Sequence, residues 1–323
     1  MTALRTRICT RLSDVGPPEA WDALSARPPA SLSGSRSWAA AAFAAAHPRA
    51  APIIVAVEAR GQLLGLLALA LHDTETGPTL RLAGAPHNDL TDVMVLRGHE
   101  EEVARAVITE LSGLARRGWA VWLEAIDPSG ALAHAAKQSK GLCWTPGEPA
   151  PMIRLDRGWR SAPSSQRRSQ WDHQLRRLRD DHEVEFRRVD GPEMLRDLSG
   201  FVAMREARLR RTGRPLDLPP VTFMTHVVTD VAGEGRCAFT EMLLDGHVAA
   251  RDLYQVRPPV AMLWLRALDA AWQRFSPGHL LLHASAEAFA DEGYEILDLG
   301  RGNEPYKFVF GAEPRVLLEA RAG

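Results

Sequence analysis

Apolar positions along the chain follow two different periods. Pro52 to Ala59 and Leu63 to Leu71 are β-branched or continuously apolar, with Arg60-Gly61-Gln62 between them, which predicts a hairpin. From Glu100 to Arg117 the apolar residues Val103, Val107, Leu111 and Leu114 instead share one helical face behind an acidic first turn, and Gly118 stops the helix. Trp119 to Ile126 then has the composition of a buried strand. Around this centre the pattern predicts helices over Pro17 to Leu24, Ser37 to Ala46 and Gly130 to Lys140, with breaks at Arg27-Pro28-Pro29 and His47-Pro48. Short strands are expected at Leu80 to Ala83, Asp92 to Leu96 and Pro151 to Leu155.

The same order recurs further on. Helices are predicted over Gln166 to His182, Glu193 to Arg211 and Pro219 to Val231, with a strand at Val184 to Val189. A three-stranded meander follows (Cys237 to Leu244, His247 to Val256, Val260 to Ala267), then a helix over Pro277 to Asp291 and a strand over Tyr294 to Leu299. A last strand is expected at Arg315 to Ala320. In both halves a helix of about four turns ends in Gly-aromatic before a buried strand: Gly118-Trp119 and Gly293-Tyr294. Antiparallel strands followed by a crossover predict an α+β fold with a mixed sheet, and the long repeat predicts two similar domains, 1–156 and 157–323.

Composition narrows the function classes. The 323 residues carry a formal net charge of −1, so the molecule as a whole is not a polycation built to coat nucleic acid. Cys9, Cys143 and Cys237 have neither metal nor disulfide spacing, which fits a reducing cytoplasm. No apolar stretch is long enough to cross a bilayer, so no membrane partner is expected. Nor is there a Gly-x-Ser-x-Gly elbow or a zincin motif; His279 and His283, four apart, are read as structural or groove-lining, and no metal is expected. Basic residues are almost all arginine; the lysines are Lys137, Lys140 and Lys307.

The run Gly293-Tyr-Glu-Ile-Leu-Asp-Leu-Gly-Arg-Gly-Asn-Glu-Pro-Tyr-Lys307, preceded by a helix opening at Ser276-Pro277-Gly278, resembles the signature of the GNAT branch that includes CelD-like and other acetyltransferase family 6 proteins. In the first half Gly34-Ser-Arg-Ser-Trp38, the hairpin at Arg60 to Leu69 and Asn88-Asp-Leu-Thr-Asp92 are similar to that family's early motifs. The ending Lys307-Phe-Val-Phe-Gly311 resembles that of the Fem-type aminoacyl-tRNA-dependent transferases, which are also tandem GNAT-like proteins. The resemblance implies two tandem GNAT-like domains and direct acyl transfer to the amine of a small-molecule acceptor. Acyl-coenzyme A is the default donor and co-substrate, and aminoacyl-tRNA the alternative. A degenerate, non-catalytic pair acting as a scaffold is a third reading.

Candidate residues follow. Ser276 and Gly278 open a helix whose free amides suit a donor's phosphates, although the fuller Gln/Arg-x-x-Gly-x-Gly/Ala loop is absent. Arg301, Gly302 and Glu304 are expected at the donor, with Asp298, Tyr306 and Lys307 as the catalytic group: a carboxylate to orient an amine, a phenol as acid, an ammonium at an oxyanion. Asn88, Asp89 and Asp92 in the first half, and Arg208 in the second, are expected at the acceptor. Arginine clusters at 160–179 and 205–214 are either solvated helix faces or a surface for the tRNA backbone.

Overall fold

The continuous apolar runs become the centres of two sheets. In this computed structural model the described residues are all but 1–3, 26–31, 47–49, 75–76, 157, 162, 214–220 and 323. The Pro-rich breaks expected at 27–29 and 47–48 fall outside them, as do Arg214 and the first residues of the helix expected from Pro219. The chain forms two compact units, one of Met1–Pro149 with Arg315–Gly323 and one of Ala150–Pro314.

The first unit contains β1 (Arg5–Cys9), α1 (Pro18–Ser25), α2 (Arg36–Ala46), β2 (Ala50–Ala59), β3 (Gln62–Thr74), β4 (Gly77–Leu82), β5 (Met94–Val95), α3 (Glu100–Arg116), β6 (Ala120–Ile126), α4 (Ala131–Ala136) and β7 (Cys143–Pro149). The β2–β3 hairpin closes on Ala59 opposite Gln62, with Arg60 and Gly61 both at positive φ, as a tight turn matched to strand twist requires. Val103, Val107, Leu111 and Leu114 of α3 are buried among Val55, Leu67, Leu69 and Leu123 of the sheet. The spacing that predicted the helix is therefore the spacing that fills the core.

The second unit contains β8 (Met152–Arg154), α5 (Ser165–Asp181), β9 (Val184–Asp190), α6 (Glu193–Thr212), α7 (Val221–Ala232), β10 (Cys237–Leu244), β11 (His247–Arg257), β12 (Val260–Leu268), α8 (Pro277–Asp291), β13 (Ile296–Asp298) and α9 (Pro305–Val309). Its strand order is β8-β13-β12-β11-β10-β9, and only β12 and β13 run parallel. Phe201 of α6 packs on Phe239 on one face, while Leu280, Leu281 and Phe289 of α8 join Met242 and Tyr254 on the other. No helix among the described residues is long and apolar enough to cross a membrane.

Two strands depart from the expected division at residue 156. The strand expected to close the first half, β8, pairs with β13 of the second unit, where Leu155 N–H also donates to Glu295 O at 2.7 Å. The final strand, β14 (Val316–Ala322), lies in the first sheet between β6 and β7. Each sheet is completed by a strand from the other end of the repeat. Three elements carried no clear pattern: β1 is short and polar, β7 contains two prolines and a glycine, and α9 has too few residues to show a period.

Leu317→Ala should cost roughly 2–5 kcal/mol, because Leu317 is buried in the inserted strand. Urea unfolding with hydrogen-exchange mass spectrometry checks this. Lost protection should concentrate in residues 50–126 and spare 237–268.

Candidate active site

Three residues of β12 pair with β13: Val260 to Met262 against Ile296 to Asp298. Beyond them β13 ends while β12 runs on to Leu268. The register between β11 and β12 shifts here, with Leu253 opposite Leu265 but Tyr254 opposite Leu263, so Trp264 is an extra residue. A bulge bends its strand and re-aims the side chains that follow. The two strands therefore part immediately after Asp298.

On the α8 side of the parted strand lies a row of buried polar groups. Thr240, Asp252 and Arg266 are register partners across β10, β11 and β12. Arg266 donates from Nε to Asp252 Oδ1 at 2.7 Å and from Nη2 to Asp252 Oδ2 at 2.6 Å. Tyr254 Oη donates to Asp252 Oδ2 at 3.4 Å, and Thr240 and Ser285 hydroxyls meet at 2.8 Å. Burial works against the guanidinium's charge, but the Asp252 carboxylate holds its pKa above the usual arginine value. The guanidinium carbon lies 5.1 Å from the centre of the Tyr306 ring. Burial raises the Tyr306 phenol pKa, opposed by the nearby charges of Arg266 and Arg208, so the phenol keeps its proton. The His279 ring lies 6.2 Å from that of Tyr306, and its pKa is lowered by burial and by Arg266 and Arg167, which leaves it neutral near pH 7.

The first turn of α8 opens beside this row. Ser276 is its N-cap residue, as expected, but it sits at φ 49° and its hydroxyl makes no capping bond. Pro277 fills the first helical position. A Cβ on Gly278 would fall 2.9 Å from Leu268 Cδ2 and 3.6 Å from Arg266 Nη1, so the glycine keeps a gap between helix and strand.

The loop after β13 forms the support. Asp298 is fully buried and accepts from Gly300 N–H at 2.9 Å. Gly300 and Gly302 take positive φ, and a Cβ on Gly302 would collide with the Glu304 carboxylate. The Lys307 ammonium, expected to meet the donor, is turned into this loop and is 2% exposed. It donates to Gly300 O at 3.0 Å and Arg301 O at 2.6 Å, reaches Gly302 O at 3.4 Å, and pairs with Glu304 at 3.0 Å. An ammonium has three protons, and these acceptors use them.

The second unit thus brings Gly278, Tyr306 and Arg208 near Arg266 and His279, with Ser276 at the same helix start, while Asp298, Arg301, Gly302, Glu304 and Lys307 belong to the loop after β13. Asn88, Asp89 and Asp92 lie in the first unit. Asn88 is buried and donates to Ala83 O at 3.1 Å, while Asp89 is half-buried. Asp92 accepts from the amides of Ala131 at 2.5 Å and Leu132 at 2.9 Å, capping α4. Burial pushes its carboxyl up to about 6 despite those bonds. The residues missed in the sequence were Asp252 and Arg266. Each is a charge inside an apolar strand; the register that starts at the hairpin turn would set Leu265 opposite Asp252, and only the extra residue Trp264 brings Arg266 there.

Residues 165–308, within the second unit, match the family model for the acetyltransferase (GNAT) domain. The tandem arrangement of the whole chain is also found among solved structures. FemX superposes with a TM-score of 0.67 at 11% identity, covering 97% of this chain and 96% of that one. A tandem GNAT protein from the clavulanic acid biosynthesis pathway superposes at 0.52 and 18%, covering 99% of each. L-PGS from Bacillus licheniformis gives 0.54 and 12%, covering 80% and 81%. At these identities the likeness is one of fold. No curated protein matches the chain by sequence.

Lys307→Met should cost about 3 kcal/mol, since it strands buried carbonyls and Glu304. Urea unfolding would show the loss, and hydrogen exchange would show Gly300 to Gly302 loosened. The Asp92 carboxyl binds its proton more tightly folded than unfolded, so its contribution to stability falls as pH rises from about 4 to about 6. Asp92→Asn should remove that slope from the melting-temperature profile.

Proposed function

We propose that the protein transfers an acyl group from an activated donor to an amine, with the chemistry in the second unit where β12 and β13 part. The observation that carries this reading is the meeting, at that opening, of an uncapped helix start, a buried guanidinium and a protonated phenol. The first turn of α8 suits the anionic part of a donor, because the Gly278 amide and the helix dipole both favour negative charge. Gly278 leaves room for the donor's backbone to approach. Tyr306 is the proton donor to the leaving group, and burial keeps it in the acid form. Arg208 of α6 serves the acceptor. Asp298 and Lys307 act through the loop they hold, and Arg301, Gly302 and Glu304 set that loop's shape beside the donor.

Acyl-coenzyme A is the donor in this reading. Aminoacyl-tRNA is a second reading, favoured by the basic face of α5: Arg167, Arg176, Arg177 and Arg179 are exposed, and Arg167 lies close enough to His279 to depress its pKa. Release of free thiol from acetyl-coenzyme A in the presence of an amine mixture, compared with ribonuclease-sensitive product formation from charged tRNA, separates the two. Turnover of neither donor by the wild-type protein rejects acyl transfer. With the donor so identified, Tyr306→Phe should lower kcat about 100-fold and leave the donor KM within about threefold. The wild-type rate should also persist to a pH near 10, the ordinary tyrosine value, because the phenol titrates above it.

A further inference from the structure

Asp252 occupies only part of the Arg266 fork. Nε and Nη2 donate to its carboxylate, whereas Nη1 bonds to no described residue and stays open to solvent. The rest of the side chain is buried, and the residue as a whole is 7% exposed. The fork is held from several sides: Asp252 takes two nitrogens, the Tyr306 ring lies 5.1 Å from the guanidinium carbon, and Arg205 Nη1 donates to the Arg266 carbonyl at 2.9 Å. A donor fixed before a ligand arrives loses little freedom on binding it.

The open nitrogen stands beside the first turn of α8. A Cβ on Gly278 would come within 3.6 Å of Nη1. Gly278 has ordinary helical backbone, so no strained φ calls for a glycine here; what the missing side chain leaves is room. Its amide is the first N–H of the helix, since Pro277 has none, and no carbonyl of α8 lies ahead of it to accept. Charge around this turn is positive. Arg167, Arg208 and Arg266 act on the His279 and Tyr306 rings against Asp252 and Glu304, and Glu304 is already paired with Lys307.

From this geometry we propose that Nη1 of Arg266 and the Gly278 amide together hold a phosphate group of the donor. This rests on the acyl-transfer reading above. It gives the helix start a charged side-chain ligand, supplied from inside the neighbouring strand, where the fuller glycine-rich loop is absent. A permanent anion suits the permanent excess of cations, and a charge-assisted N–H to phosphate is among the stronger hydrogen bonds. The guanidinium is shared edge by edge: Asp252 takes one side and the phosphate the other. Two donors carry this chemistry, the pyrophosphate of coenzyme A and a backbone phosphate near the charged end of tRNA.

The test needs no turnover. The full chain is titrated by calorimetry with desulfo-coenzyme A, which has the phosphates and no thioester, and separately with uncharged tRNA; the probe that binds names the source. Arg266→Gln combined with Asp252→Asn removes both charges, so no ion is left buried alone. This double variant should melt within a few degrees of wild type and bind that probe about 10- to 100-fold more weakly. Gly278→Ala leaves the ion pair intact and favours helix, but its methyl fills the room beside Nη1, and it should weaken binding about tenfold. A double variant that binds within threefold of wild type overturns the proposal. Should the double variant not fold, Gly278→Ala decides alone by the same threefold limit. Either result leaves acyl transfer standing. A wild-type protein that binds neither probe at millimolar concentration defeats the acyl-transfer reading with it.

Discussion

A carboxylate with no solvent exposure holding a guanidinium by two parallel hydrogen bonds is the fixed point of the second unit. Neither charge is tolerable there without the other, because stranding a buried ion costs several kcal/mol. The pair therefore ties β11 to β12 just beyond the point where β12 has lost β13 as a neighbour. A strand abandoned on one side would otherwise be free to rejoin its partner and close the opening. The bulge at Trp264 and the Asp252–Arg266 bridge act in the same sense, one bending the strand and the other pinning it. The single extra residue also decides which face Arg266 occupies, because it lets Leu263 and Arg266, three positions apart, lie on the same side of the sheet.

The second sheet treats its two faces differently. Towards α6, Glu241 is fully buried between Arg187 and Arg251, and Arg251 reaches on to Asp197 at 3.0 Å. That network is closed on itself, with acids and bases alternating from β9 to α6. Towards α8 the polar row ends at Arg266 and Tyr306, beside a helix start that no side chain caps. Burying charge on both faces is expensive, yet only the pair on the second face stands beside the first turn of a helix. This asymmetry separates a structural ionic cluster from one suited to chemistry.

Periodicity made most of the fold legible. The heptad-like face of α3 and the apolar runs of β2, β3 and β10 to β12 were placed to within a few residues, because burial and period agree there. The loop from Asp298 to Lys307 was also visible, although the reason for its residues was not. Lys307 is scarce in an arginine-rich chain, and rarity drew it into the chemistry, whereas its ammonium fits three converging backbone carbonyls that a planar guanidinium would not match. Asp252 and Arg266 carry no signal in either strand taken singly. Their meaning arises only across the hairpin, where the bulge at Trp264 shifts the register and sets acid against base. The same limit hid β7 and misplaced β8 and β14: an edge strand is defined by its neighbour, and no local pattern names a neighbour from the other end of the chain.

The placement of β14 bears on how this protein is made. Synthesis runs from the N-terminus, and a domain generally condenses once its last strand has left the ribosome. Here β6 and β7 must wait for a partner that emerges about 170 residues after β7. The second unit, complete at Pro314, is available to fold before the first has acquired its missing strand. The nascent first sheet spends that interval with two unsatisfied strand edges. The prolines and glycine of β7, poor guides to a strand in the sequence, suit that exposure, because they make it an unattractive template for stray chains.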